Sequence, residues 1–445
     1  MRVAIIGGGW AGMAAAIAAV QAGHGVSVFE AARTLGGRAR AVPPATEAHG
    51  DPQALDNGQH ILIGAYGECL RLMRLVGVNP DEALLRLPLA LVFPDGTGLR
   101  LPDAAPPWDA LRGIAGARGW SLSERMALLA RAARWRLSGF RCAPHATVAQ
   151  LCEGLPPRLL QEFIDPLCVS ALNTPCDAAS GAVFLRVLRD SLFSGRGGSH
   201  LLLPRRDLSA LWPDAAAAWL RARGHAVHTG RRVQHLQAAA GQSPVWRVDG
   251  EPFDAVVLAT PATEAARLVE AAAQPLAPGQ AAPLRDWAAT AHALQFTAIA
   301  TVYAQAPQGA AACAAWPAPM LALRSGPQAP AQFVFDRGRL GNRPGLLAFV
   351  VSAFEGERSA LKQDVVRQAR QQLGLPDLQL VQTVVEKRAT FACVPALRRP
   401  ARPIAPGLQA CGDYVEGPYP ATLEGAVLCG TAAGRLEGEI PSMSP

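Results

Sequence analysis

The first thirty residues switch hydrophobic period twice. Val3-Ala4-Ile5-Ile6 is a continuous apolar run with β-branched members, which predicts a buried strand. It ends in Gly7-Gly8-Gly9-Trp10-Ala11-Gly12, and the alanine-rich stretch beyond predicts a helix. Val26-Ser27-Val28-Phe29 returns to a strand pattern and stops at Glu30. Strand, glycine turn, helix, strand and terminal acid is the order of a dinucleotide-binding unit. Gly7 permits the tight turn, Gly9 lets a pyrophosphate approach the backbone, and Gly12 lets the helix pack on the sheet. The phosphates then meet the positive end of the helix dipole and the free N–H groups around Trp10 and Ala11. Glu30 is placed to accept hydrogen bonds from a ribose.

Two later segments carry the same kind of pattern. A helix predicted around Leu208 to Arg223 leads through Gly224 into Ala226-Val227-His228, and alternation continues through Val233 and Leu236. Trp246-Arg247-Val248 precedes Phe253 to Pro261, whose apolar core is the unbroken run expected of a strand covered on both faces. Gly407 to Asp413 reads as a strand ending in a turn and an acid. A turn-rich stretch follows, then a helix from Ala421 to Ala433 with small residues at 425, 426, 430 and 432, spacing that suits close backbone approach to something flat. At 445 residues the chain exceeds one ordinary core. The expected architecture is α/β, with a Rossmann-like dinucleotide-binding domain assembled from 1–75, 200–270 and 385–440. Interleaved with it are a helical insertion (76–199) and a mixed-sheet substrate domain (271–384), whose strand candidates are 296–303, 332–335 and 346–354.

Composition narrows the options. The excess of 42 basic over 35 acidic residues is a net charge of +7, too modest to argue for nucleic acid. An anionic membrane surface stays open as a partner. Nine cysteines without a CxxC pair read as reduced thiols, and no metal-ligand cluster is visible. The chain is expected in the cytoplasm, either free or peripheral on the inner face of the cell membrane. Ser121-Leu122-Ser123-Glu124 is a capping box ahead of a helix on which Met126, Leu129, Ala130, Ala133, Leu137 and Phe140 share a face. Arg125 and Arg136 border one side of that stripe, Arg131 and Arg134 the other. An interfacial helix and an ordinary core-packed helix both fit this pattern.

Gly36-Gly37-Arg38 resembles a signature of the amine oxidase and carotenoid desaturase superfamily, which implies FAD rather than NAD, with Arg38 near the diphosphate and flavin. Ala259-Thr260-Pro261 and Gly412-Asp413 resemble the same superfamily. There Asp413 would meet the ribityl chain or diphosphate, and the N–H groups at Thr422 and Leu423 would meet the flavin's pyrimidine edge. Leu55 to Tyr66, Phe163 to Pro175 and Glu386 to Phe391 resemble hydroxysqualene dehydroxylases, and the similarity runs from Val3 to about Leu436. The resemblance implies FAD-dependent reduction of a hydrophobic C30 isoprenoid, hydroxysqualene, to squalene on the bacterial route to hopanoids. An acid would protonate the departing hydroxyl, and reduced flavin N5 would deliver hydride to the allylic cation, with the electrons coming from an unidentified donor.

The same resemblance places Gly58, Gln59 and His60 along the flavin's face and adds Val233 to the cofactor set. His60, Glu386, Lys387 and Tyr414 are the candidate catalytic residues. For each a structural role stands beside the chemical one: a backbone-bonded histidine, a surface ion pair, a packed tyrosine. Asn173 either orients substrate or begins the turn before Pro175. Rival readings are a carotenoid-type desaturase, an amine oxidase, or a non-enzymatic prenyl-protein chaperone resembling Rab GDP-dissociation inhibitor.

Overall fold

The computed structural model describes residues 1–43, 55–238, 246–341 and 343–436. Parts of the expected nucleotide-binding segments, 44–54, 239–245 and 437–440, lie outside the described residues.

β1 (Arg2–Ile6) and β2 (Gly25–Phe29) flank α1 (Trp10–Gln21), with both strands in a six-stranded sheet that α1 covers. Its strands run in the order Ala226–His228, β2, β1, Ala255–Leu258, Leu408–Ala410, Pro403–Ala405. The first five are parallel and the last is an antiparallel edge. Three distant stretches of chain therefore build one sheet. The two-residue period of β1 decides what covers it. Val3 and Ile5 pack with α1 and the helix Pro213–Arg221, whereas Ala4 and Ile6 face Val248 and Phe253 of a small antiparallel sheet. With both faces covered, an unbroken apolar run is the stable sequence.

α1 is buried along nearly its whole length, so it shows no polar face. Its far side meets the C-terminal helix Leu423–Gly434 almost backbone to backbone. A Cβ added to Gly430 would stand 2.1 Å from the Ala11 carbonyl oxygen, and one on Gly434 2.1 Å from that of Ala15. Gly425 is likewise filled by the Tyr419 carbonyl oxygen, at 1.8 Å from such a Cβ. Gly425 and Gly430 thus serve contacts within the protein, which corrects for these two positions the expectation that they admit something flat.

The second large sheet is antiparallel, in the order Met320–Ala322, Phe333–Asp336, Leu346–Phe354, Phe296–Gln305, Gln379–Phe391. Ala300, Val302 and Ala304 pack with the helix Arg358–Leu373. The opposite face carries Thr297, Thr301 and Tyr303, which meet Asn173, Gly58 and Asp56 respectively. The last strand runs through Gln379–Phe391, so Glu386 and Lys387 lie within it, and a boundary at 384/385 would cut it. Ahead of the first strand candidate of the 271–384 segment lies the helix Pro278–His292, with Pro283 inside its first turns. The predicted 208–223 helix breaks at Trp212 into Leu208–Leu211 and Pro213–Arg221. Between 76 and 199 helices dominate, but short strands occur at Leu84–Leu87, Ala90–Val92 and Gly98–Arg100.

Gly430→Val is expected to destabilise the protein by about 3 kcal/mol or to prevent folding, because the branched side chain must displace α1. Gly279→Ala, in a helix with open space around it, should leave thermal unfolding within about 0.5 kcal/mol of the parent. Equal melting temperatures for the two variants would refute the close contact.

Candidate active site

The glycine turn closes as its spacing requires. The Gly7 N–H donates to the Phe29 carbonyl at 2.8 Å with φ at +114°, a region open to glycine. A Cβ on Gly12 would lie 1.9 Å from the Gly7 carbonyl oxygen, so only glycine lets α1 start there. The Gly36 N–H donates to the Gly8 carbonyl at 2.9 Å, which draws the second glycine motif alongside the first. Glu30 accepts from the Gly8 N–H and the Ala32 N–H, each at 2.7 Å. These two bonds orient the carboxylate and leave further lone pairs for ribose hydroxyls. α1 begins without a side-chain cap and with no acid in its first turn. A Cβ on Gly9 would meet only Gly37 backbone atoms, the nearest at 3.8 Å. An uncapped helix end beside a paired-glycine cradle and an oriented carboxylate fits the nucleotide and diphosphate of FAD. Trp10 turns its indole N–H to the Ala39 carbonyl at 3.1 Å, and Ala11 packs on the C-terminal helix.

Arg38 is the junction of the site. Its guanidinium forms an ion pair with Asp413, bonding through both nitrogens, and donates to the Ala389 carbonyl at 2.7 Å. Burial works against the Arg38 charge, but Asp413, and more weakly Glu386, hold its pKa above the ordinary value. The Ala389 carbonyl is free because the ladder to Phe296–Gln305 slips here: Thr390 pairs with Thr297, while Glu386 already pairs with Ile299. The bulge opens the strand at Lys387, Arg388 and Ala389.

The segment 55–60 is gripped from three directions. The Tyr303 hydroxyl donates to the Asp56 carbonyl at 2.9 Å, the Leu208 N–H donates to the Asp56 carboxylate at 2.8 Å, and Arg337 reaches that carboxylate at 3.6 Å. Arg337 also donates to the Gln59 side-chain oxygen at 3.1 Å. Burial pushes the Asp56 carboxyl up to about 6, against the opposing pull of Arg337 and the Leu208 N–H. His60 Nδ1 lies 3.0 Å from the Gly58 carbonyl oxygen, so that nitrogen carries the hydrogen. A proton on Nε2 then requires imidazolium, which burial and the nearby Arg38 charge disfavour, lowering the pKa. Among the described residues, Thr301 places a buried hydroxyl without a partner beside Gly58, and the buried Asn57 amide nitrogen also lacks one.

The remaining candidates scatter. Glu386 is half-buried and senses Arg38, whereas Lys387 is exposed and makes no ion pair among the described residues. Tyr414 is buried, its hydroxyl has no partner among the described residues, and its ring lies where a Gly412 side chain would go. The Thr422 hydroxyl caps the C-terminal helix by accepting from the Gly425 N–H at 3.0 Å, leaving Leu423 as its first residue. Val233 is buried with its carbonyl accepting from Arg267 at 3.4 Å. Asn173, in the left-handed region at φ +46°, donates to the Thr297 and Thr390 hydroxyls at 2.9 and 3.0 Å and accepts from the Ala353 N–H at 2.6 Å. It is both the turn and a tie across three strands. Asp56, Arg337, Tyr303 and Thr301 were not singled out from sequence. The polar positions 297, 301 and 303 on one face of an otherwise apolar strand were the available signal, while nothing marked Arg337.

A glycine-turn βαβ unit, an oriented ribose-type carboxylate and a second acid returned from the far end of the chain define a dinucleotide-binding oxidoreductase fold. The chain belongs to the flavin containing amine oxidoreductase family, whose profile matches residues 10–435, and its cofactor is FAD. Among curated relatives, a hydroxysqualene dehydroxylase of Rhodopseudomonas palustris is 27% identical, the match covering 98% of this chain and 97% of the relative. One from Sinorhizobium fredii is 26% identical over 98% of both. A zeta-carotene desaturase of Synechocystis is 40% identical, but over only 19% of this chain and 16% of its own length. The crystal structure of an oxidoreductase from Methanosarcina mazei superposes with a TM-score of 0.70 at 16% identity, covering 97% of this chain and 99% of that one.

Two outcomes test this geometry. Unfolded Asp56 ionises near 3.8 and the folded carboxyl near 6, so its contribution to stability is present at low pH and lost as pH rises through that window. Asp56→Asn should remove about 3 kcal/mol of that pH dependence in denaturant titrations between those values. A parent and variant with the same pH slope would contradict it. Arg38→Ala strands the buried Asp413 charge; with a third of the arginine side chain exposed, the expected loss is about 2 kcal/mol, with substoichiometric FAD by absorbance.

Proposed function

We propose that this chain catalyses FAD-dependent reductive dehydroxylation of hydroxysqualene to squalene. The carrying observation is likeness along the whole chain to hydroxysqualene dehydroxylases, together with an intact glycine turn, Glu30 and the Arg38–Asp413 junction. The carotenoid-desaturase reading is not favoured, because that likeness covers only a short segment. A cofactor-free chaperone would have no need of the oriented Glu30 carboxylate or the uncapped α1.

In the reaction a C–O bond breaks, the hydroxyl leaves as water after gaining a proton, and a C–H bond forms at the same carbon. Reduced FAD, when bound, supplies the hydride. The chain's residues divide the remaining work. Gly7, Gly9, Gly12, Trp10, Ala11, Glu30, Gly36 and Gly37 are proposed to hold the nucleotide and diphosphate, with Val233 beside them. Arg38, Gly58, Gln59, Gly412, Asp413, Thr422 and Leu423 are proposed to bound the flavin end. The segments 1–75, 200–270 and 385–440 would form this cofactor-binding unit, with 271–384 and 76–199 enclosing a hydrophobic C30 substrate. Enclosure excludes water, which would otherwise trap an allylic cation. Each turnover consumes two electrons, so a reducing partner is required.

His60 is proposed as a neutral positioning group, its ring held by the Gly58 carbonyl, rather than as the proton donor. Glu386, beside Arg38, stays a candidate for proton handling; Lys387 and Tyr414 are weaker ones, being exposed and walled in, respectively.

Anaerobic incubation with hydroxysqualene and a flavin reductant should yield squalene, identified by gas chromatography; unchanged substrate would refute the reading. His60→Gln is expected to keep kcat within about tenfold, with an unchanged pH profile. Loss beyond about 100-fold together with the acidic limb would make the imidazole the donor instead.

A further inference from the structure

The helix Leu122–Leu137 settles which way its apolar stripe faces. Leu128 and Trp135 point inward, Trp135 meeting Phe184 edge-on at 6.3 Å between ring centroids. Of the expected stripe, Leu129 and Phe140 pack partly against the core, Phe140 lying beyond the helix end at φ +56°, while the face opposite Leu128 and Trp135 leaves Leu122 74% exposed, Met126 56% and Leu137 89%. The helix Trp108–Ala115, packed against it, exposes Trp108 (59%) and Leu111 (39%). Among the described residues, five of the eight exposed large hydrophobic side chains fall in this one stretch of chain. Exposed large apolar side chains gathered on two helices packed against each other mark an interaction face.

Charge selects the occupant. Arg125 and Arg131 turn inward, to the carbonyls of Ala115 and Ala117 and of Leu151 and Glu153. Arg134 and Arg136 stay exposed, one on either flank of the stripe. The sole acid between Leu122 and Arg141 is Glu124, whose carboxylate is engaged by the Ser121 N–H at 2.7 Å. An apolar strip flanked by arginines, with its one acid occupied in a cap, matches a bilayer rich in anionic headgroups. No helix among the described residues is long and apolar enough to cross a membrane, so contact is with one leaflet.

We propose that the face formed by Trp108, Leu111, Leu122, Met126 and Leu137, flanked by Arg134 and Arg136, docks on an anionic lipid surface. The docking explains how a water-insoluble substrate reaches the protein, and in that respect alone it rests on the function proposed above.

Flotation of the full chain with vesicles of phosphatidylglycerol and phosphatidylcholine tests it. The parent should float with these vesicles at low salt, less at high salt, and hardly with phosphatidylcholine alone. The Leu122→Asp, Met126→Asp, Leu137→Asp triple variant should lose binding by about tenfold or more, since these side chains are exposed and their removal leaves the core intact. With detergent-solubilised substrate the variant should match the parent, while turnover of vesicle-embedded substrate falls. Failure of the parent to float, or equal flotation of the variant, overturns the proposal without touching the chemistry. A parent dimer that the same substitutions dissolve assigns the face to a second copy and overturns it too. Inactivity of both proteins in detergent would instead count against the dehydroxylase reading, leaving the flotation result intact.

Discussion

The Arg38–Asp413 ion pair joins residues 375 positions apart and fixes the geometry of everything around it. Each half sits in a glycine turn, Arg38 following Gly36-Gly37 and Asp413 following Gly412. Both turns are anchored to the same parallel sheet, so the pair forms only when Ala255–Leu258 has inserted between β1 and Leu408–Ala410. Taking both charges out of water is costly, and a planar guanidinium bonded twice to a carboxylate is a geometry that offsets it. A third bond, to the Ala389 carbonyl, ties the second sheet into the same point.

That third bond explains a sequence feature otherwise puzzling, a charged run inside a strand. Glu386 to Ala389 lie where the ladder slips. A regular strand would commit the Ala389 carbonyl to its neighbour and leave Arg38 one partner short. Asn173 performs a similar service on the other side of the bulge, bonding Thr297, Thr390 and the Ala353 N–H, and so pins the helical region to three adjacent strands. The motifs 163–175 and 386–391 are distant in sequence but adjacent here, with the Cys393 N–H donating to the Thr174 hydroxyl at 3.0 Å.

The C-terminal helix has a part in each layer. Its glycines admit α1, and Glu424 reaches the N-terminus of the helix Gly67–Leu75, accepting from the Glu68 and Cys69 N–H groups at 2.8 and 2.9 Å. Burial raises the Glu424 pKa despite those bonds, since a carboxylate there has little water to stabilise its charge. The helix thereby holds both α1, which follows the first glycine turn, and the helix Gly67–Leu75, which follows the 55–66 segment.

Local chemistry alone determines the βαβ unit. The turn admits only glycine at position 7, close packing only glycine at 12, and a buried strand must be apolar on both faces, so the order from Val3 to Glu30 was legible; the capping box at Ser121 announced a helix, but not its end at Leu137, short of Phe140. The full extent of Gln379–Phe391, the helix Pro278–His292 and the grip of Arg337 on Asp56 and Gln59 were not legible. Each depends on tertiary partners distant in the chain, which overrode a proline in one case and a run of charges in another. The direction of the stripe on Leu122–Leu137 was equally beyond the sequence. A helical period states that two faces differ, and only the placement of Phe184 against Trp135 decides which one meets the core.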